Sequence, residues 1–188
     1  IKTFVPLKIT ISIKGGFTMD KLEFTTEVLD EFTVIGFEKE FAFDQGYNLI
    51  PKYWDEINKI SMPVLFYGKK PETDIEKAIC ENGIGEFGVC IDDLGANRFK
   101  YMIAGRYKGG PVPEGMKLFT FPKLEWAKFK CFGPLPTALQ DLNTKIFREW
   151  LPGNAEYEMS AGFNIEYYTK GENGPNYESG IWFPIKKK

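Results

Sequence analysis

The chain has 188 residues, of which 24 are basic, 26 are acidic and none is histidine. The near balance of charges argues against a chain that itself binds nucleic acid, and the lack of histidine removes the usual metal ligand and general base at neutral pH. Three widely spaced cysteines without a CxxC pair predict reduced thiols, and therefore a cytoplasmic protein. No apolar run reaches membrane-spanning length and no signal peptide is visible, so we expect no membrane association.

After a lead segment at residues 1–31, one pattern of predicted elements occurs twice. In the lead segment, residues 7–13 alternate between apolar and polar side chains and predict a strand, which Gly15 and Gly16 end. The first copy of the pattern spans residues 32–107 and consists of a strand, an amphipathic helix, a loop with a short helix, and two strands. The predicted bounds of these elements are 32–41, 46–60, 71–83, 86–92 and 99–107.

The second copy spans residues 118–188 and follows a Gly- and Pro-rich linker at residues 108–117. Its predicted elements are a strand at 124–132, a helix at 135–151 that Pro152 and Gly153 end, and strands at 162–170 and 177–184. The chain thus predicts an α+β fold, a tandem pair of strand-helix-strand-strand modules with pseudo-twofold symmetry. Helices would pack on antiparallel strands, and the two modules would form one fused ligand-binding domain with a cleft between them.

Glu166 is the first candidate for a binding residue. Alternation along its strand puts Asn164, Glu166 and Tyr168 on one face and an apolar set on the other. An acid beside an aromatic ring attracts a cation through its charge and through the ring quadrupole. The alternative is a partly exposed acid that pairs with a lysine. The matching strand of the first copy carries Gly88 or Cys90 at this place, so charge selection by Glu166 should be one-sided.

Seven short motifs along almost the whole chain point to a known family. They are IKGG at residues 13–16, FTVIG at 32–36, PEGM at 113–116, WAKF at 126–129 with GP at 133–134, EWLP at 149–152, IEY at 165–167 and IWFPI at 181–185. In order and spacing they resemble the effector-binding domain that is attached to many AraC-type transcription regulators. This domain also occurs alone in GyrI-like proteins and in multidrug-sensing regulators.

The resemblance implies a duplicated α+β fold with a concave antiparallel sheet and a small-molecule pocket between the modules. In the drug-sensing relatives, an acid at the position of Glu166 looks toward the pocket and attracts lipophilic cations. In the regulators, the lead segment follows a DNA-binding helix-turn-helix, an element that is not visible here. The chain itself is therefore expected to bind no nucleic acid, and DNA would be bound only through such an absent domain.

Two more ligand-binding residues are expected on the two last strands. Tyr168 shares a face with Glu166, and its hydroxyl could donate to a ligand or to the carboxylate. Trp182 lies opposite the apolar set of its own strand and is assigned to the cleft by analogy with Glu166. The alternative for Trp182 is packing under a loop.

Three further candidates come from other elements. Trp54 lies on an apolar helix stripe typical of a core, and in the family fold one edge of its ring could reach a ligand. Tyr101 and its neighbour Met102 point to opposite faces of one strand, and the sequence does not decide which of them sees the pocket. Trp126 alternates with an apolar set that looks like core, which leaves it on the cleft or in solvent.

Together these features favour a sensor domain that binds a small hydrophobic or cationic molecule, with no cofactor and no metal. One alternative is a GyrI-like hydrolase of electrophilic small molecules, with Glu166 as general base. Another is a protein-interaction module of the gyrase-inhibitor type, in which the cleft would have no ligand. The sequence leaves the natural ligand and the oligomeric state open.

Overall fold

The computed structural model describes residues 22–95 and 97–188, so the strand predicted at residues 7–13 lies outside the described part of the chain. The strands of the described part are β1 (Phe24–Leu29), β2 (Phe32–Ala42), β3 (Phe87–Ile91), β4 (Arg98–Arg106), β5 (Lys117–Phe121), β6 (Leu124–Phe132), β7 (Tyr157–Met159), β8 (Phe163–Tyr168) and β9 (Glu178–Lys187). The helices are α1 (Gly46–Leu65), α2 (Asp74–Asn82) and α3 (Thr137–Lys145). A π-helical turn (Ile146–Trp150) continues α3 into a last short turn, α4 (Leu151–Gly153).

These strands lie in one antiparallel sheet with the order β1-β6-β9-β8-β3-β4-β2-β5, and β7 pairs with the C-terminal part of β9. The central pair is β3 and β8. Outward from β3 follow β4, β2 and β5, and outward from β8 follow their counterparts β9, β6 and β1. The predicted α+β fold with a tandem pattern on an antiparallel sheet is confirmed, and its pseudo-twofold relates β3 to β8.

Three strands, β1, β5 and the three-residue β7, lie in segments for which the sequence predicted no element. β1 pairs with β6 of the second copy, whereas β5 precedes β6 in the chain but pairs with β2 of the first copy. Each copy therefore pairs with a strand that lies just before the first predicted strand of the other copy. The periodic signal is weak because β1 and β5 lie at the edges of the sheet, where Phe121 is the only buried residue of the two.

Capping hydrogen bonds, a glycine and the extent of the buried face determine where α1 and α2 begin and end. At the start of α2, the Thr73 side chain accepts from the Glu76 amide and the Glu76 side chain accepts from the Thr73 amide, which is a capping box. Gly83 closes α2 in the left-handed conformation that favours glycine. α1 continues five residues beyond its predicted end, because Ser61 and Val64 extend its buried face.

Both faces of the sheet are covered by hydrophobic cores. The helices lie on one face, where α1 and α2 pack on β2 and β4, and α3 packs on β6 and β9. The opposite face carries a core of its own, built from alternate residues of the same strands, such as Val34, Met102 and Ile165. Within the described residues, no helix is both long enough and apolar enough to cross a bilayer.

Candidate functional site

A cavity of about 260 Å³ lies on the helix face of the sheet, where α1 of the first copy faces α3 of the second. Its floor is the centre of the sheet, formed by Cys90, Phe99, Asn164, Glu166 and Tyr168. Its walls come from α1 on one side and from α3 with the preceding loop on the other. The wall residues include Tyr47, Ile50, Trp54, Asp55, Asn58, Leu135, Leu139, Gln140 and Asn143.

Polar contacts join the two helices at one side of the cavity. The Asn143 amide donates to the Tyr47 hydroxyl at 2.8 Å, and the Gln140 amide donates to the Tyr47 carbonyl at 3.1 Å. Tyr47 belongs to the first turn of α1, whereas its two partners belong to α3. The cavity is thus enclosed by elements of both copies.

Glu166 is held at the floor of this cavity by two tyrosines. The Tyr101 hydroxyl donates to Glu166 Oε2 at 2.5 Å, and the Tyr168 hydroxyl donates to the same oxygen at 2.8 Å. Trp54 Nε1 in turn donates to the Tyr101 hydroxyl at 2.9 Å. Among the described residues, Glu166 Oε1 has no hydrogen-bond partner and the carboxylate has no ion pair. The second oxygen is therefore available to a ligand.

Gly88 makes this arrangement possible. It pairs directly with Glu166 across the central strands β3 and β8. A Cβ atom at this position would lie 2.1 Å from the Tyr101 hydroxyl and 2.6 Å from Glu166 Oε2. Any side chain larger than hydrogen would therefore displace the hydroxyl that orients the carboxylate.

The surroundings favour protonated tyrosines and a carboxyl that ionises less readily than usual. Burial raises the pKa of Glu166, and the hydrogen bonds from Tyr101 and Tyr168 oppose that rise. Burial, followed by the negative charge of Glu166, raises the pKa of both tyrosines well above the usual value. A cation near Glu166 would favour its ionised form.

The charges around the cavity have one sign. Glu166 and Asp55 are the acids of its lining, and neither lysine nor arginine is found among the described lining residues. Opposite charges attract strongly in such a partly enclosed site, where water screens them less. This geometry suits a positively charged, largely apolar ligand.

The sequence of the chain also matches a known protein family. Residues 25–185 match the family described as Cass2, an integron-associated effector binding protein. The chain belongs to this family. The resemblance to effector-binding domains that the motifs predicted is thereby confirmed.

Several solved structures share the fold of this effector-binding domain. SAV2435 bound to tetraphenylphosphonium is 19% identical, with a TM-score of 0.68 over 88% of this chain and 94% of that one. A putative bacterial transcription regulation protein from Staphylococcus aureus is 20% identical, with a TM-score of 0.65 over 88% and 99% of the two chains. The integron cassette protein from Vibrio cholerae is 13% identical, with a TM-score of 0.59 over 89% and 100%. Among curated protein sequences, none matches significantly.

Four of the six residues predicted to bind ligand come together in the effector-binding domain. Glu166, Tyr168 and Trp54 line the cavity, and their side chains are joined directly or through Tyr101. Tyr101 lies fully buried behind Glu166, whereas its neighbour Met102 points into the core of the opposite face. The Trp54 and Tyr168 rings meet edge to face, with their centroids 4.8 Å apart.

The predicted position of Trp182 in the cleft is wrong. Trp182 pairs with Ile165, and residues paired across an antiparallel ladder share a face. Trp182 therefore lies on the face opposite Glu166, where Lys128 Nζ is 3.9 Å from the centre of its ring. The alternation along β9 was identified correctly, but the side that faces the cavity depends on register, which one strand does not reveal.

The predicted exposure of Trp126, on the cleft or in solvent, is also wrong. Its exposed fraction is 0%, and its ring contacts Phe32, Phe121 and Phe163 in the core opposite the helices. The prediction assumed that only one face of β6 is buried. The sheet buries both faces, so alternation alone does not separate core from cleft.

Sequence reasoning missed several lining residues. Asn58 lies one helical turn after Trp54, so the spacing of four residues could have found it. Asn164 was assigned to the face of Glu166 but was not named as a site residue. The contributions of α3, such as Leu139 and Asn143, had no such signal, because they depend on how α3 packs against α1.

Proposed function

We propose that this effector-binding domain binds lipophilic cations in the cavity between α1 and α3, with Glu166 selecting for positive charge. The observation that carries the proposal is the unpaired Oε1 of Glu166 at the floor of an aromatic cavity. Around it, the described lining residues include a second acid, Asp55, and no basic group. A lipophilic cation would pair with the Glu166 carboxylate and, at the same time, pack against the aromatic rings of the cavity.

Affinity would come mainly from burial of apolar surface, at roughly 25 cal/mol per Å². Trp54, Tyr168 and Phe99 supply flat apolar surfaces with few directional partners, which accommodate cations of different shape. Glu166 adds selectivity for charge, because a neutral analogue of the same size would lack the electrostatic attraction. We therefore propose a multidrug type of specificity rather than recognition of one ligand.

Two solved structures with a similar fold support this proposal. SAV2435 has been solved with tetraphenylphosphonium, a lipophilic cation, and a second protein of the same fold is described as a putative transcription regulator. We propose a role in the control of transcription within the cytoplasm, as in AraC-type regulators that carry such domains. A ligand would act there through its differential affinity for two states of the regulator.

Tetraphenylphosphonium titrated by calorimetry tests the proposal. We expect Glu166→Gln to weaken binding by about tenfold or more, which corresponds to at least about 1.4 kcal/mol. The neutral ligand triphenylphosphine oxide should bind Glu166→Gln at least as tightly as wild type, because its oxygen accepts hydrogen bonds and the glutamine amide can donate one. Glu114→Gln is the matched control, because it removes the same charge from a loop outside the cavity. Equal affinity of wild type and Glu166→Gln for the cation would rule out charge selection.

The geometry gives less support to the hydrolase alternative. A general base would use the free Oε1 of Glu166, but the substrate would also need a hydrogen-bond donor to polarise it. The tyrosine hydroxyls that would take this role, those of Tyr101 and Tyr168, already donate to Glu166 Oε2. The cavity therefore fits binding of a cation better than activation of an electrophile.

A further inference from the structure

A second cavity of about 550 Å³ adjoins the first on the same face of the sheet. The two cavities share three lining residues, Cys90, Phe99 and Asn164. These three residues form a waist between the two cavities, and beyond it the second cavity is walled mainly by Phe43, Phe147 and Met159. A ligand longer than the first cavity could therefore continue into the second without leaving apolar surroundings.

Asn164 marks the waist as a polar contact point. Its exposed fraction is only 8%, and among the described residues its side-chain amide has no hydrogen-bond partner. It lies on the Glu166 face of β8, where it pairs with Cys90. The amide lines both cavities and has no protein partner, so it is open to a hydrogen bond from a ligand. The amide thus points to a ligand group that can hydrogen-bond at this place.

The exposed residue Asp92 gives the far end of the second cavity a negative charge. Its backbone amide donates to the Gly162 carbonyl at 2.7 Å, but its carboxylate makes no hydrogen bond or ion pair with a described residue. The neighbouring Asp93, by contrast, pairs with Lys100 at 2.7 Å. Neither lysine nor arginine is found among the described residues that line this cavity.

The hydroxyl of Ser160 adds a second polar group there. Its Oγ atom is buried and has no hydrogen-bond partner among the described residues. Partial burial, with the charge of Asp93, raises the pKa of Asp92, and a cation beside it would favour its ionised form. Both groups offer hydrogen-bond acceptors to a donor that enters the cavity.

The spacing of the two acids fits one elongated molecule. Gly88 pairs with Glu166, and Asp92 follows four residues later in the chain, at the end of β3. At about 3.4 Å per residue, the two acids lie roughly 14 Å apart along the strand direction. Asn164 pairs with Cys90, midway between these two positions.

We propose that the two cavities together bind an elongated aromatic dication, with one charged end at Glu166, a hydrogen-bonding linker at Asn164 and a second charged end at Asp92. This inference rests on the proposed function, because it assigns the first charge to the same Glu166 site. It adds a second site and a class of ligand, aromatic molecules with a cationic group at each end.

Pentamidine, an aromatic bis-amidine whose flexible ether-containing linker lets its two charged ends adopt this spacing, tests the second site. Its comparison ligand is the analogue in which one amidinium is replaced by a nitrile, so that length and rings are kept and one charge is lost. Wild type should bind the dication about tenfold more tightly than the monocation, as one additional charge-assisted contact would give. Asp92→Asn should abolish this difference and leave affinity for the monocation unchanged.

Asp141→Asn is the matched control, since it removes the same charge from an exposed position of α3 outside both cavities. It should keep the full preference for the dication. Asn164→Ala should weaken pentamidine several-fold through loss of the contact with the linker.

The outcomes separate this inference from the proposed function. If the monocation binds in a Glu166-dependent way but pentamidine binds no better, or if Asp92→Asn keeps the preference, the second site is refuted and the proposed function stands. If neither tetraphenylphosphonium nor the amidines bind, the proposed function itself fails. Unchanged affinity of Asn164→Ala for pentamidine would contradict the contact at the waist.

Discussion

The two central strands, β3 and β8, hold equivalent places in the two copies, yet only one of them carries the acid. Glu166 of β8 faces Gly88 of β3 across the pseudo-twofold. The acid needs the glycine, because a Cβ at position 88 would meet the Tyr101 hydroxyl that holds the carboxylate. The duplication thus supplies a symmetric sheet, and one acid–glycine pair at its centre makes the cavity asymmetric in charge.

Of the substitutions proposed here, we expect Gly88→Ala to disrupt this acid–glycine pair with the largest effect on stability. The new methyl group would displace Tyr101, which is fully buried, and we expect a loss of about 2 kcal/mol in the free energy of unfolding. Tetraphenylphosphonium should also bind more weakly, because Glu166 loses its orienting hydrogen bond. Urea denaturation and calorimetry measure the two effects.

The control for this substitution is Gly153→Ala, at a site where an added Cβ meets no atom within 4 Å. Its stability should match wild type or exceed it slightly, since alanine suits a helical turn better than glycine. Equal stability of Gly88→Ala and Gly153→Ala would contradict the close contact at position 88.

The pH dependence of the free energy of unfolding should reveal the contribution of Glu166 alone, independently of Gly88. Because the pKa of Glu166 is raised in the folded protein, the folded state holds its proton more tightly than the unfolded state, where the pKa is about 4.3. The contribution of Glu166 to stability is therefore fully present below that value and is lost as pH rises through the raised pKa.

Glu166→Gln should remove this contribution to the pH dependence. Its stability relative to wild type should increase as pH rises from about 4 to neutrality. Urea denaturation at a series of pH values measures it. A constant difference between the two proteins across this range would mean that the pKa of Glu166 is not raised by folding.

The smallest effect concerns the tryptophan that the sequence wrongly assigned to the cleft. Trp182→Phe should leave affinity for tetraphenylphosphonium unchanged, because Trp182 lies on the opposite face from Glu166. Trp54→Phe should weaken binding by a factor of about three to ten, because it removes the hydrogen bond to Tyr101. Calorimetry measures the affinity of both variants for tetraphenylphosphonium. A larger loss for Trp182→Phe than for Trp54→Phe would place the ligand on the face of the sheet opposite Glu166.

Alternation and helical spacing were enough to predict the main strands and helices and to group Glu166 with Tyr168 on one face. They were not enough for β1 and β5, because edge strands bury too little to show a clear period. They also failed for Trp126 and Trp182, because a sheet buried on both faces gives both sets of side chains an apolar environment. The pairing of Gly88 with Glu166 depends on strand register, which only the folded chain reveals.

The central claim is that Glu166 binds the positive charge of the ligand between α1 and α3. A crystal structure of the complex with tetraphenylphosphonium tests this claim most directly. The account predicts a phosphonium inside the cavity, with Glu166 Oε1 the nearest carboxylate oxygen, within about 6 Å of the phosphorus. A phosphonium bound outside this cavity, or nearer to Asp55 than to Glu166, would contradict it.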